Sequence, residues 1–95
     1  MLTTTRPWQD EEEVALLDAD LDNGWDIVVY NDDVNSFEWV ITCFRQVLRH
    51  TLEQSEQLSL IIHYKGKAAV KHGSLDELTP LAEALLERGL SAKIE

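Results

Sequence analysis

"WDIVVYNDDVNSFEWVITCF", residues 25–44, is the stretch that decides the fold. Its first six residues, Trp25 to Tyr30, are mostly β-branched or aromatic and read as a strand. From Phe37 the apolar positions are Phe37, Val40, Ile41, Phe44, Val47 and Leu48. That spacing has the helical period. Asn35 is expected to cap this helix, with Glu38 three residues later completing a box-like start. Trp39 projects roughly opposite the apolar stripe and is expected to be exposed. A strand therefore feeds a helix across a short loop that holds two adjacent carboxylates, Asp32 and Asp33.

Outward from that stretch the chain is well punctuated. A second helix is expected from about Thr51, with Gln54 as the reciprocal cap, running through "LEQSEQLSLIIHY" to a stop at Gly66. "KAAVKH" (67–72) reads as a strand. Ser74 with Glu77 forms another capping box, and Leu75, Leu78, Leu81, Ala82 and Leu85 share one helical face. Pro80 falls inside that pattern and predicts a kink or a late start. Gly89 ends the helix, and the alternating "LSAKIE" (90–95) closes the sheet. The expected fold is α+β: a small three-stranded antiparallel sheet covered by three helices, in the order β-α-α-β-α-β.

Ninety-five residues allow one domain with a modest core. Residues 1–24 carry seven acids against Arg6 alone, and are expected to be a mostly disordered acidic extension. Residues 25–95 form the folded domain. No apolar run approaches the roughly 20 residues of a membrane span, and "MLTTTRPWQDEEE" lacks the basic start and apolar centre of a signal peptide. With Cys43 as the one cysteine, the chain is expected to be cytoplasmic and to have no internal disulfide. It is also expected to be a monomer. The net charge of −10, from 18 acids and 8 bases, argues against nucleic acid and anionic membrane surfaces as partners. It favours a cationic partner such as a peptide α-amino group.

Several chemistries fail on spacing. Asp18, Asp20 and Asp22 alternate as in a calcium loop, but Gly24 comes one place late and Val29 stands where a bidentate glutamate belongs. Cys43, His50, His63 and His72 lack paired zinc-ligand spacing. Cys43 falls in mid-helix at the edge of the buried stripe, a poor place for a nucleophile. The four glycines stand singly, so there is no phosphate loop. No catalytic residue, metal or cofactor is expected. What remains is the loop after the first strand. Asn and Asp make turns for backbone reasons alone. Yet with Asn35 read as the cap, Asp32 and Asp33 are additional, and adjacent carboxylates repel unless something positive relieves them. Ser59, Ile62 and His63 share one face of the second helix. If that helix packs on the first, the carboxylates, an amide and an imidazole meet beside apolar side chains. Such a site suits a ligand with an ammonium group at one end and a hydrophobe at the other.

"VVYNDDVNSFEWVI" and "SLIIHYKGKA" together resemble the ClpS family of adaptor proteins, over roughly residues 25–95. The resemblance implies a non-enzymatic adaptor. Such proteins bind the free α-amino group and the bulky first residue (Leu, Phe, Tyr or Trp) of N-end rule substrates. They deliver these N-degrons to a Clp AAA+ unfoldase–peptidase, of ClpA or ClpC class, for degradation. By match, Asn31, Asp33 and His63 contact the α-amino group. Asp32 neighbours the site, and Asn35, often threonine in the family, helps bind the peptide backbone. Phe37, Val40, Ser59, Ile62 and Leu90 line the hydrophobic pocket; the family often has methionine at the positions of Phe37 and Ser59. Asp76 matches an acidic unfoldase-contacting position, while Leu81 stands where lysine is common. The acidic extension matches one that assists delivery in the family. An alternative expectation is a protein of this fold that docks on the unfoldase and modulates or inhibits it without reading N-termini.

Overall fold

A computed structural model describes residues 24–95 of the chain. The acidic extension and the Asp18–Asp22 loop lie outside the described residues. Strand β1 (Trp25–Tyr30) is followed by helices α1 (Phe37–Val47) and α2 (Leu52–Lys65). Strand β2 (Lys67–Gly73), helix α3 (Leu75–Glu87) and strand β3 (Ser91–Ile94) complete the order β-α-α-β-α-β. β1 runs down the centre of an antiparallel sheet ordered β2-β1-β3. The expected fold class is the one observed.

The core lies between the sheet and the helices. Ile27 and Val29 of β1 meet Cys43, Phe44 and Leu48 from α1, Ile62 from α2, and Leu78, Ala82 and Leu85 from α3. Phe44 is fully buried and is the largest side chain so enclosed. Between Ile27 and Val28 the register against β2 slips by one residue. Val70 is left between the paired Ala69 and Lys71, a bulge of the kind that re-aims a backbone group. Its carbonyl accepts from His50 Nε2 at 2.7 Å, so His50 braces the α1–α2 connection against β2.

The caps show how local chemistry sets the helix ends. Thr51 with Gln54 and Ser74 with Glu77 form the two expected capping boxes. At α1 the expectation needs correcting: the cap is Ser36, whose hydroxyl accepts from the Trp39 backbone N–H at 3.0 Å. Asn35 is engaged elsewhere. Pro80 delays nothing, because α3 begins at Leu75 and continues through it. The proline removes one N–H that would have reached back to Asp76, on the exposed first turn. α3 closes with Gly89 at φ +90°, where the N–H of Leu90 bonds Leu85 O and that of Gly89 bonds Leu86 O. That is the paired Schellman arrangement, and it needs the left-handed residue.

Phe44→Ala removes the side chain around which the sheet and α1 pack. It should lower the unfolding free energy by about 3–5 kcal/mol, read by urea denaturation.

Candidate functional site

The loop 31–36 is held by its own side chains. Asp32 turns inward: Oδ1 accepts from the backbone N–H groups of Val34 and Asn35, each at 2.9 Å. Oδ2 accepts from Asn35 Nδ2 at 2.9 Å and, more weakly, from Ser91 Oγ at 3.4 Å. The backbone N–H of Asn35, above all, holds the Asp32 carboxyl below its ordinary value, and its partial burial opposes that shift. The Asn35 amide also donates to Gly89 O at 2.9 Å, and the Trp39 indole donates to Arg88 O at 3.0 Å. Both bonds take carbonyls at the end of α3, where a helix leaves such groups unpaired. At the other end of the loop the backbone N–H of Asn31 bonds Gly66 O, the residue that terminates α2. The loop is thus pinned to both flanking connections of the sheet.

With Asp32 satisfied internally, Asp33 and Asn31 are left exposed on the outer side. They stand at the mouth of a cavity of about 500 Å³ between the loop, the start of α1 and the second half of α2. Phe37 and Val40 come from α1; Ser59, Ile62 and His63 come from α2. His63 is exposed, and its ring meets that of Tyr64 edge-on, with centroids 4.9 Å apart. The lining of the cavity therefore combines a carboxylate, an amide and an imidazole with apolar side chains.

The structure gathers nearly all the sequence-derived site residues here. Asn31, Asp32, Asp33, Asn35, Phe37, Val40, Ser59, Ile62 and His63 all line the cavity. Leu90 does not: it is buried and borders a separate void of about 20 Å³ beneath, shared with Val29, Val40 and Ile62. It supports the floor from below. Asn35 lines the cavity while its amide nitrogen is committed to Asp32 and Gly89. Asp76 is exposed in the first turn of α3 and takes no part in the groove. Two lining residues were not foreseen, Leu60 and Tyr64. They are one helical turn apart on α2, and the spacing that places Ser59 beside His63 places them alongside.

The other reactive side chains are accounted for. Cys43 is fully buried, and that burial raises its thiol pKa, so it supplies no thiolate. His72 Nδ1 sits 2.9 Å from Asp26 on the strands, and His50 is held by Val70. Among the described residues no three His, Cys, Asp or Glu side chains cluster as metal ligands. No helix there is long and apolar enough to cross a membrane.

The Asp32 network makes a sign-definite claim on pH. Its folded pKa is lowered, so its stabilisation is complete above the ordinary carboxylate value and fades as pH falls through the lowered one. Asp32→Asn should reduce the melting temperature near neutral pH. The deficit should shrink below about pH 4, followed by thermal melts across the acid range.

Comparison with known proteins adds to this geometry. Residues 20–93 match the family model described as the ATP-dependent Clp protease adaptor protein ClpS. The chain is 31% identical over 85 residues to the ATP-dependent Clp protease adapter protein ClpS of Rhodococcus jostii, covering 90% of this chain and 76% of that one. Against the protein of the same name from Streptomyces coelicolor it is 29% identical, over 90% of this chain and 86% of the relative. Among solved structures, Agrobacterium tumefaciens ClpS2 bound to L-phenylalaninamide superposes with a TM-score of 0.68 at 25% identity. That match covers 75% of this chain and 93% of the other. With a family model matching residues 20–93, nearly all of the described fold, and the same architecture in a solved relative, the chain belongs to the ClpS family of Clp protease adaptors.

Proposed function

We propose that this chain is a non-catalytic adaptor. It would bind proteins by their free α-amino group and bulky hydrophobic first residue, and deliver them to a Clp AAA+ unfoldase. The observation that carries the reading is the convergence of Asn31, Asp33 and His63 beside Phe37, Val40 and Ile62 in one groove. An α-ammonium presents three N–H donors. The groove offers three acceptor types to meet them: the Asn31 carbonyl oxygen, the Asp33 carboxylate and a His63 ring nitrogen. Charge-assisted bonds of this kind are the stronger ones. The apolar walls take the side chain that the ammonium positions. The Agrobacterium relative holds L-phenylalaninamide, which is a free amino group and a phenylalanine side chain joined at one carbon. That ligand supports the same division of labour here.

The acidic surface supports the reading from a distance. A net charge of −10 attracts a cationic terminus and speeds its encounter. The proposed partner is a Clp unfoldase of ClpA or ClpC class, with Asp76, exposed in the first turn of α3, as the proposed contact to it.

The size of the Asp33 contribution follows from its exposure. A buried ion pair broken on one side costs several kcal/mol. Asp33 is exposed, so the lower range for a charged hydrogen bond applies. Asp33→Ala should weaken a Phe-starting peptide by about 1.5–3 kcal/mol, roughly ten- to a hundredfold in Kd. N-acetylation of the peptide should cost at least as much, since it removes the charge and two of the three donors. Calorimetric titration of free and acetylated peptides decides the matter, and equal affinities would sink the proposal.

A further inference from the structure

Charge in this chain is sorted by region. Residues 1–24 hold seven acids against Arg6, and four of the acids are consecutive, Asp10–Glu13. The seven bases of residues 25–95 differ in their surroundings. Lys67 and Lys93 hold their ammonium groups over the Tyr30 ring, and Arg88 reaches back to the Ala84 carbonyl. Arg45 and Arg49 are exposed, and they meet at a concave surface of about 420 Å³ with Thr42, Gln46 and His50. Among the described residues neither guanidinium has a carboxylate within ion-pair distance.

A cation in the last turn of a helix complements its dipole, and that accounts for Arg45. It does not account for Arg49. This residue lies past the end of α1 with φ at 63°, where glycine or asparagine is usual. Its left-handed turn accompanies a side chain that lines the same cavity as Arg45. His50, next along, borders that cavity with its ring anchored on Val70 O at 2.7 Å. Two guanidinium groups in one concavity suit a cluster of carboxylates, which they bind through paired N–H donors.

The path of the chain points to the carboxylates. Residue 24, where the described fold begins, passes close to the end of β2: a Cβ at Gly24 would stand 2.6 Å from Gly73 O. Three residues before Gly73, Val70 holds His50 at the arginine cavity. Strand residues rise about 3.3 Å each, so roughly 10 Å of β2 separates those points. The ten residues 14–23 span up to about 33–36 Å when extended, so Asp10–Glu13 reach the cavity with slack. We infer that the acidic stretch Asp10–Glu13 docks on Arg45 and Arg49 and tethers the extension to its own fold. Arg45 and Arg49 sit at the C-terminal end of α1 and the groove at its N-terminal end, 11 residues or about 16 Å away. Docking leaves the groove open, so the inference stands apart from the amino-terminal reading. Exposed ion pairs contribute little singly. A short tether supplies an effective concentration in the millimolar range, which makes a few of them sufficient, and salt weakens them.

The test uses the full chain with a nitroxide attached at Glu12→Cys; Cys43 is fully buried and escapes brief labelling. Amide signals are compared with the label active and chemically reduced. At low ionic strength the active label should remove roughly half the intensity of residues 42–50, the scale of a few tethered ion pairs. The signals should recover in about 1 M salt, where screening acts beyond roughly 3 Å. Arg45→Glu with Arg49→Glu should also restore them, and adding Asp10→Lys, Glu11→Lys and Glu13→Lys to that pair should bring the loss back. Thermal melts check folding, and Arg45→Gln with Arg49→Gln replaces the glutamate pair if it fails to fold. Undiminished signals at residues 42–50, a loss centred on Lys67 and Lys93, or a loss that survives removal of both arginine charges overturns the inference. The cavity then stands open to an acidic surface of another protein.

Discussion

The loop at the edge of the groove depends on how one carboxylate is satisfied. Asp32 sits directly after the central strand and accepts from the backbone of Val34 and Asn35 and from the Asn35 amide. Those bonds curl the loop tightly enough that Ser36 caps α1 at once. They also relieve what would otherwise be repulsion between two adjacent acids, by giving one of them donors of its own. Asp33 is then free to face solvent at the groove mouth. The adjacent pair therefore divides into a structural carboxylate and an available one, and the backbone decides which is which.

The loop does not hold itself up alone. Asn35 carries the constraint across to Gly89, 54 residues away, and Trp39 adds a bond to Arg88. The carbonyls they take are those a helix end cannot pair internally. Gly89 is the hinge point of this contact, since its left-handed backbone exposes the carbonyl while ending α3. The third helix thereby supports the groove without lining it. Leu90, the next residue, does the same from beneath by filling the floor under Val40 and Ile62. A domain with a modest core uses one connection both to close its sheet and to steady its site.

Most of the fold was legible because it was written in local signals. β1 is a run of β-branched and aromatic residues, and both capping boxes are four-residue patterns needing no tertiary knowledge. The errors fall where a residue's partner is remote. Asn35 has the chemistry of a cap, and so does Ser36 one place later; the contact with Gly89 draws Asn35 away and nothing nearby in the sequence announces it. Leu90 matched the pocket by position yet packs inward, a matter of which face of a turn it occupies. Leu60 and Tyr64 went unseen for a different reason. α2 carries apolar residues on more than one face, with Leu52, Leu60 and Ile61 all exposed, so periodicity alone does not separate groove from core on this helix. The proposed ligand-facing groups Asn31, Asp33 and His63 stand in short motifs, and packing α2 against α1 brings them to one cavity.

That packing also explains why α2 can afford its two orphaned serines. A helix made to fill a core would carry aliphatic side chains at 55 and 59, and small polar residues there weaken it. Thr51 and Gln54 anchor its start, and Gly66 ends it in the left-handed conformation, so the element's limits are fixed independently of its inner face. The inner face is then free to vary at a tolerable cost. In the interior, at Ser55, the variation yields only an unpaired hydroxyl. One turn further on Ser59 borders the groove, and its hydroxyl is buried there as well.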